Sequence, residues 1–150
     1  MSAWVLRATA FGVLVVALRT LLGFAMIHWP TQGSWLRILC LAVILVSVAA
    51  WGLADGRNDR QANPDPERGG ADLTVRWLKA GVAGGLGSGL VAWVVDLLPK
   101  MDLGGNSLVF ELTAGASFIV LLIFVPAMAG VALGRFLADR ENRNGAAAAA

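Results

Sequence analysis

One arginine and two acids lie in or beside long apolar runs, where charge is costly and therefore informative. Arg19 stands 15 residues after Trp4 and 10 residues before Trp29, inside the first run. A charge near the middle of a membrane helix costs about 3 kcal/mol, so it faces protein or water and often marks a functional site. Asp96 and Glu111, at the ends of the third and fourth runs, are the acids that could pair with it.

The expected depths of these charges limit how they can interact. At about 1.5 Å per residue, Arg19 lies roughly 5 Å from the membrane midplane, and the tryptophans place both acids roughly 16–18 Å from it. The gap of about 12 Å exceeds the length of an arginine side chain, so a direct ion pair requires helix tilt, a shifted register or an intervening water. We predict an intramembrane polar cluster of Arg19 with Asp96 or Glu111, open to the outside. A structural clasp and a transport site are both consistent with it.

The remaining chemistry-bearing residues form no catalytic or metal-binding pattern. The sequence has one histidine, His28, and one cysteine, Cys40, which together cannot build a usual zinc site. The glycine-rich run at 81–89 matches neither the dinucleotide-binding pattern nor the P-loop pattern. We therefore expect no enzymatic activity, no cofactor and no metal. Because apolar runs separate the basic residues, we expect no nucleic-acid partner.

Glycines recur every four residues in the third and fourth runs. They are Gly81, Gly85 and Gly89 in the third run, and Gly130 and Gly134 in the fourth. Small residues at this spacing let helix backbones approach closely in lipid. We expect these glycines to pack helices within one bundle. Self-association through the third helix and a flexible, glycine-weakened helix are the alternatives.

Composition and the lengths of the apolar runs predict an integral membrane protein. Of the 150 residues, 57% are hydrophobic and 15% are charged, whereas soluble domains are about half apolar and about a quarter charged. A membrane span needs about 20 apolar residues. Four segments reach this length, at residues 4–27, 35–53, 75–98 and 107–137. The predicted fold is all-α, an integral membrane four-helix bundle of two antiparallel hairpins in one domain, 1–140, with a C-terminal tail, 141–150.

The connections between the runs differ in length and polarity. The turns at 29–34 and 99–106 are short, so the first and second helices should be neighbours, as should the third and fourth. The middle connection, the loop 54–73, is longer and charged, and its part 55–72 holds no large apolar residue. We expect a solvated linker there, with a partner-docking loop as the alternative.

The distribution of basic residues predicts the orientation of the chain. The loop 54–73 with its flank and the C-terminal flank carry several arginines and a lysine, whereas the two other connections offer Arg37 and Lys100. Because cytoplasmic flanks are enriched in Lys and Arg, we expect both termini in the cytoplasm and a location in a bacterial plasma membrane. The six tryptophans bracket the first three runs, as interfacial indoles do.

Several stretches of the chain resemble one family of bacterial membrane proteins. They are residues 21–26 (LLGFAM), 29–33 (WPTQG), 62–66 (ANPDP), 76–80 (RWLKA) with the glycine-rich run, and 117–124 (SFIVLLIF) with Pro126. Over residues 1 to 140 the chain resembles the actinobacterial small four-helix membrane proteins of the drug/metabolite transporter superfamily. The resemblance implies a four-helix membrane fold and a transporter-like activity.

The small multidrug resistance family provides a contrast. Its members have four short helices, work as dimers and exchange protons for cationic drugs through a glutamate embedded in the first helix. Here the first run holds no acid and carries Arg19 instead, which argues against proton-coupled export of cations. An anionic or lipid-like substrate suits a buried arginine better.

These observations lead to two hypotheses of function. The first is a transporter-like carrier of a small or amphiphilic solute. The alternative is a non-catalytic accessory or assembly subunit of a larger membrane protein complex, which fits the glycine-lined packing faces and the small size. The expected partners are the lipid bilayer and, beyond it, a second copy of the chain or a larger membrane complex.

Overall fold

Four long helices make up the protein. The computed structural model describes residues 3–64, 72–96 and 107–148. We number the helices α1 to α4, and the last is continuous through a short π-helical turn near its start. Their bounds are Ala3–His28 for α1, Gly33–Ala62 for α2, Leu73–Asp96 for α3, and Leu108–Phe110, Glu111–Gly115 and Ala116–Ala148 for the successive parts of α4. The described residues are 96% helical and include no strand.

All four helices have the length and apolar composition needed to cross a membrane. A backbone in hydrocarbon must satisfy its hydrogen bonds within the segment, which a helix does and a loop does not. The prediction of an all-α four-helix membrane fold is therefore confirmed. The first hairpin closes through the 3-10 turn Pro30–Gln32 between α1 and α2. The expected turn at 99–106 lies outside the described residues.

The helices form a ring in the order α1, α2, α4, α3, so that α1 lies diagonally opposite α4. Contacts pair Gly52 with Ala127 and Gly56 with Val131, which shows that α2 and α4 run parallel. The α3 and α4 helices run antiparallel, because the α4 residues opposite successive α3 glycines have falling numbers. The two hairpins therefore pack side by side, and each helix has one parallel neighbour and one antiparallel neighbour.

The helices α2 and α4 approach each other most closely, through a reciprocal set of glycines. A methyl group added at Gly52, Gly56, Gly130 or Gly134 would lie closer than 3.0 Å to a backbone oxygen of the facing helix. Both predicted fourth-helix glycines thus pack within the bundle, and their partners on α2 were not predicted. Close backbone contact of this kind is how small residues join helices in lipid.

The α3 glycines face α4 as well. A methyl group at Gly85 or Gly89 would meet a backbone oxygen of α4 at 2.8 Å, and one at Gly81 would meet a backbone oxygen at 3.4 Å. These glycines are thus used inside the bundle, where they let α3 and α4 lie close together. Gly87 differs, since a methyl group there would have nothing within 4 Å.

Two helices are longer than the sequence indicated. Helix α2 continues past residue 53 to Ala62, so the first half of the expected loop 54–73 is helical. Helix α4 continues past residue 137 and includes most of the expected tail 141–150. Complementary charges join the extension of α2 to the end of α4. The salt bridges are Arg135–Asp59 at 2.7 Å, Arg60–Asp139 at 2.9 Å and Arg57–Glu141 at 2.5 Å.

We call this end of the bundle the charged end. At this end α1 and α3 begin, and the apolar parts of α2 and α4 end. The hydrophobic core lies between it and the middle of the bundle, with Phe11, Val48, Trp77 and Val131 among its buried members. At the opposite end α2 is exposed to its surroundings, since Trp35 is 77% exposed.

Candidate functional site

The side chains of Arg19 and Glu111 form a direct, two-point ion pair. Arg19 Nη1 donates to Glu111 Oε2 at 2.8 Å, and Arg19 Nη2 donates to Glu111 Oε1 at 2.8 Å. The pair joins α1 to α4 across the diagonal of the bundle. Two parallel hydrogen bonds between a guanidinium and a carboxylate are among the strongest and most directional polar contacts in proteins. The structure thus brings together two of the three residues that the sequence singled out.

The start of α4 explains how Glu111 reaches an arginine that the sequence placed about 12 Å away. The backbone oxygen of Glu111 lies against Gly89 of α3, seven residues before Asp96. At about 1.5 Å per residue, α4 begins roughly 10 Å deeper in the bundle than the tryptophan positions indicate. The expected vertical gap is therefore wrong, and no bridging water is needed.

Local structure around Glu111 holds its carboxylate in place. Ser107 caps α4, because its hydroxyl accepts a hydrogen bond from the Phe110 backbone N–H at 3.3 Å. The first turn of a helix favours a carboxylate, since its backbone N–H groups carry partial positive charge. A π-helical turn follows, in which the Ala116 N–H donates to the Glu111 carbonyl. Gly115 leaves room for the side chain, because a methyl group there would lie 3.0 Å from Glu111 Oε2.

Asp96 was the alternative acid for the polar cluster. It is the last residue of α3, and its side chain lies outside the described part of the structure. The hypothesis of an Arg19–Asp96 contact therefore stays a prediction.

A cavity of about 380 Å³ opens beside the Arg19–Glu111 pair, between α1, α2 and α4. We call it the cleft. Its walls are apolar apart from the ion pair and the thiol of Cys40. The other side chains that shape it are Val15, Leu18, Leu22, Leu41, Ile44, Phe110, Phe118, Ile119 and Leu122. A mostly apolar cavity with a few convergent polar groups is the usual form of a small-molecule site, and its volume falls in the usual range of about 300–1,000 Å³.

The two partners of the ion pair are unequally exposed. The Arg19 side chain is 28% exposed, whereas the Glu111 side chain is 5% exposed. Glu111 is covered by the first turns of α4 and by α3, although both residues line the cleft. The guanidinium is therefore the more accessible group of the pair.

A second buried ion pair lies near the charged end. Arg7 donates to Asp55 through Nε at 3.0 Å and through Nη2 at 2.6 Å, and the two side chains are 8% and 12% exposed. The indole N–H of Trp77 donates to the same carboxylate at 3.0 Å. The guanidinium carbon of Arg7 also lies 5.5 Å from the Trp77 ring and 5.9 Å from the Trp51 ring, within cation–π range. This cluster ties α1, α2 and α3 together.

The position of Trp77 differs from the interfacial position that the sequence suggested. Its side chain is fully buried, and Phe11 packs against it at a ring-centroid distance of 5.8 Å. A tryptophan can occupy a protein core when its N–H finds an acceptor, and Asp55 provides that acceptor. Trp29 and Trp35, which are 58% and 77% exposed, do fit an interfacial position.

Sequence reasoning missed the Arg7–Asp55–Trp77 cluster and the contact of Gly115 with the Glu111 carboxylate. Arg7 and Asp55 stand near the outer ends of their apolar runs, where charges are ordinary, so no local signal distinguished them. The signal that could have found the cluster is the pairing of a basic and an acidic residue at the same predicted depth on adjacent helices. Among the described residues, no group of three or more His, Cys, Asp or Glu side chains could hold a metal ion.

Comparison with known proteins adds no assignment. The chain matches no protein-family model, and no curated protein matches it. The fold and its four apolar helices define the chain as a multi-pass membrane protein.

Proposed function

We propose that this chain is a small carrier, and not an enzyme, that binds a small or amphiphilic solute in the cleft. The observation that supports the proposal is the Arg19–Glu111 pair, which forms part of the wall of an otherwise apolar cavity. A charge inside a membrane span faces protein or a cavity and often marks the path of a substrate. Arg19 is 28% exposed and lines the cleft.

The orientation proposed for the carrier follows from its charges. Arg57, Arg60, Arg135 and Lys79 all lie at the charged end. Because Lys and Arg are enriched on the cytoplasmic side, this end and both termini face the cytoplasm of a bacterial plasma membrane. The cleft then lies in the outer half of the membrane, and the Arg7–Asp55–Trp77 cluster closes the inner half. The resemblance to the four-helix drug/metabolite transporters supports the same function.

The alternative is an accessory subunit, and one surface favours it. A groove between α1 and α3, lined by Gly12, Ala17, Ala83 and Gly87, faces away from the rest of the bundle. Gly87 has no neighbour that a methyl group would touch. Small residues of this kind let a second helix approach closely in lipid, so a larger membrane protein could dock there.

One experiment tests the carrier against the accessory subunit. The protein is purified from its native membrane in mild detergent, reconstituted in liposomes, and given an anionic dye, anilinonaphthalene sulfonate, or a cationic dye, ethidium. A carrier moves at least one dye across the membrane, and the flux falls when Arg19→Ala is introduced. Arg37→Ala is the matched control, because Arg37 is exposed and does not line the cleft. A stoichiometric larger partner in the preparation, with no flux of either dye, would overturn the proposal.

A further inference from the structure

We propose that the solute of the cleft is an amphiphilic carboxylic acid, that is, a single alkyl chain with one carboxyl group. The inference rests on the proposed function and names its substrate class. It assigns the acid group to Arg19 and the alkyl chain to the apolar walls.

The charge that borders the cleft selects an anionic head group. Arg19 is more exposed than its partner, with 28% of its side chain accessible against 5% for Glu111. A cationic head group that paired with Glu111 would leave Arg19 without that carboxylate, and two cations would then face each other at short range. A carboxylic acid can instead give its proton to Glu111 and pair with Arg19.

The present partner of Arg19 is itself the template for the ligand. Glu111 presents a carboxylate on a hydrocarbon stem, and it binds the guanidinium through two parallel hydrogen bonds of 2.8 Å. A ligand carboxylate can form the same two bonds, since it has the same planar geometry. A sulfate or phosphate group is tetrahedral and larger, so it fits the place of the Glu111 carboxylate less well.

The walls of the cleft fit an alkyl chain. Leu18 and Leu22 of α1, Leu41 and Ile44 of α2, and Phe118 of α4 surround the space next to the ion pair. An alkyl chain there would contact these walls through van der Waals attraction. The walls offer no described polar side chain besides Arg19, Glu111 and Cys40, so a sugar or a polyol would lose its hydrogen bonds to water without replacement.

Replacement of the Glu111 carboxylate by the ligand carboxylate at Arg19 conserves the charge of the cleft. The ligand arrives as the neutral acid, which is the form that enters a membrane. Its O–H bond breaks, the proton passes to the Glu111 carboxylate, and the ligand carboxylate takes the place of Glu111 at Arg19. The cleft then holds one guanidinium, one carboxylate and one neutral carboxyl group, so no net charge enters the membrane.

Cys40 allows the binding to be measured directly. It is the only cysteine in the sequence, and it lines the cleft. The full chain is placed in nanodiscs of zwitterionic lipid, and the rate at which a maleimide modifies Cys40 is followed with dodecanoate, dodecanol or dodecyltrimethylammonium present. We expect dodecanoate to protect Cys40, and the neutral and cationic analogues to protect it roughly ten- to hundredfold more weakly, because they cannot accept the charge-assisted hydrogen bonds.

Variants separate the head-group contact from general partitioning into the membrane. Arg19→Gln should abolish the preference for dodecanoate, and Glu111→Gln should strengthen dodecanoate binding, because the competing carboxylate is gone. If Arg19→Gln folds poorly, the double variant with Glu111→Gln replaces it. This variant removes both charges and should likewise show no preference for dodecanoate. Leu39→Cys with Cys40→Ala is the control, since Leu39 is 62% exposed and lies outside the cleft. Its maleimide rate should not depend on the amphiphile.

The outcomes distinguish this inference from the function on which it rests. Equal protection by all three amphiphiles, or stronger protection by the cation, overturns the carboxylic acid and leaves a solute-binding cleft. Selective protection by dodecanoate without any flux in liposomes overturns the carrier and leaves the carboxylate site. Absence of protection by every amphiphile overturns the inference.

Discussion

Arg7 and Arg19 project from the same helix, 12 residues apart, and pair with acids on two different helices. Arg7 binds Asp55 of α2, and Arg19 binds Glu111 of α4 on the opposite side of the ring. The two arginines lie about 18 Å apart along the axis of α1. Helix α1 is therefore tied to its neighbours at the charged end and to the diagonal helix at the cleft. The first contact sits among packed aromatic rings, whereas the second borders a cavity.

The Arg19–Glu111 pair should be visible as a coupling between two substitutions. Arg19→Gln leaves the Glu111 carboxylate buried without its arginine, which should lower the free energy of unfolding by roughly 3 kcal/mol. The double variant with Glu111→Gln should recover most of that loss, since neither charge remains. Titration with a denaturing detergent, followed by circular dichroism, measures the effect. Arg37→Gln is the exposed control and should change stability by less than about 0.5 kcal/mol. Additive effects of the two substitutions would contradict the pair.

The Arg7–Asp55–Trp77 cluster should stabilise the bundle more than an exposed ion pair does. Asp55→Asn leaves Arg7, which is 8% exposed, without a carboxylate, at an expected cost of about 3 kcal/mol. Glu141→Gln breaks the salt bridge with Arg57. The Glu141 and Arg57 side chains are 56% and 38% exposed, so the free energy of unfolding should fall by less than about 1 kcal/mol. The same unfolding titration compares the two variants. Equal losses of unfolding free energy would show that burial of the cluster adds nothing to its contribution to stability.

Two glycines on one helix should respond in opposite ways to an added methyl group. Gly85→Ala places the methyl 2.8 Å from the Ala116 carbonyl oxygen, so α3 and α4 must move apart. We expect a loss of roughly 1–3 kcal/mol, as for other overpacked sites. Gly87→Ala meets nothing within 4 Å and should be neutral, or stabilising by up to about 1 kcal/mol through helix propensity. Thermal unfolding in detergent provides the measurement, and a greater loss for Gly87→Ala would be evidence against this packing.

Gly115 should act through Glu111. A methyl group at Gly115 would lie 3.0 Å from Glu111 Oε2, so Gly115→Ala should displace the carboxylate and weaken its bond to Arg19. The expected cost is about 1–2 kcal/mol, and most of it should disappear in a Glu111→Gln background, where the ion pair is already absent. A double-mutant cycle of unfolding free energies checks this. A cost that is the same in both backgrounds would mean that Gly115 acts on the backbone alone.

The sequence predicted the number, type and approximate spans of the helices, because apolar run length is a local property that the membrane fixes directly. It also singled out Arg19 and Glu111, since charges in such runs are rare. The depth of Glu111 was not predictable, because it depends on where α4 begins to pack against Gly89 of α3. That contact is a property of two helices, and no run length in either one reports it.

The remaining differences have the same origin. Gly52 stands in an ordinary apolar run and Gly56 in the charged stretch that follows it, and their role appears when α4 lies against them. The charged turns after Leu53 looked like a loop because they have no apolar face, yet Arg135 and other residues of α4 supply the opposite charges. Trp77 resembled an interfacial residue because its acceptor, Asp55, lies on another helix.

The most direct test of the account is whether a carboxylic acid replaces Glu111 at Arg19 in a bilayer. Solid-state nuclear magnetic resonance on the protein with Glu67→Gln and Glu141→Gln, with nitrogen-labelled arginine and carboxyl-labelled glutamate, reports contacts between the two residue types. That background removes the Arg57–Glu141 pair and leaves Glu111 as the one glutamate of the sequence. We predict an arginine–glutamate contact that weakens when dodecanoate is added, while a contact between arginine and the carboxyl-labelled dodecanoate appears. An arginine–glutamate contact that persists unchanged at saturating dodecanoate, with no contact to the ligand, would contradict the account.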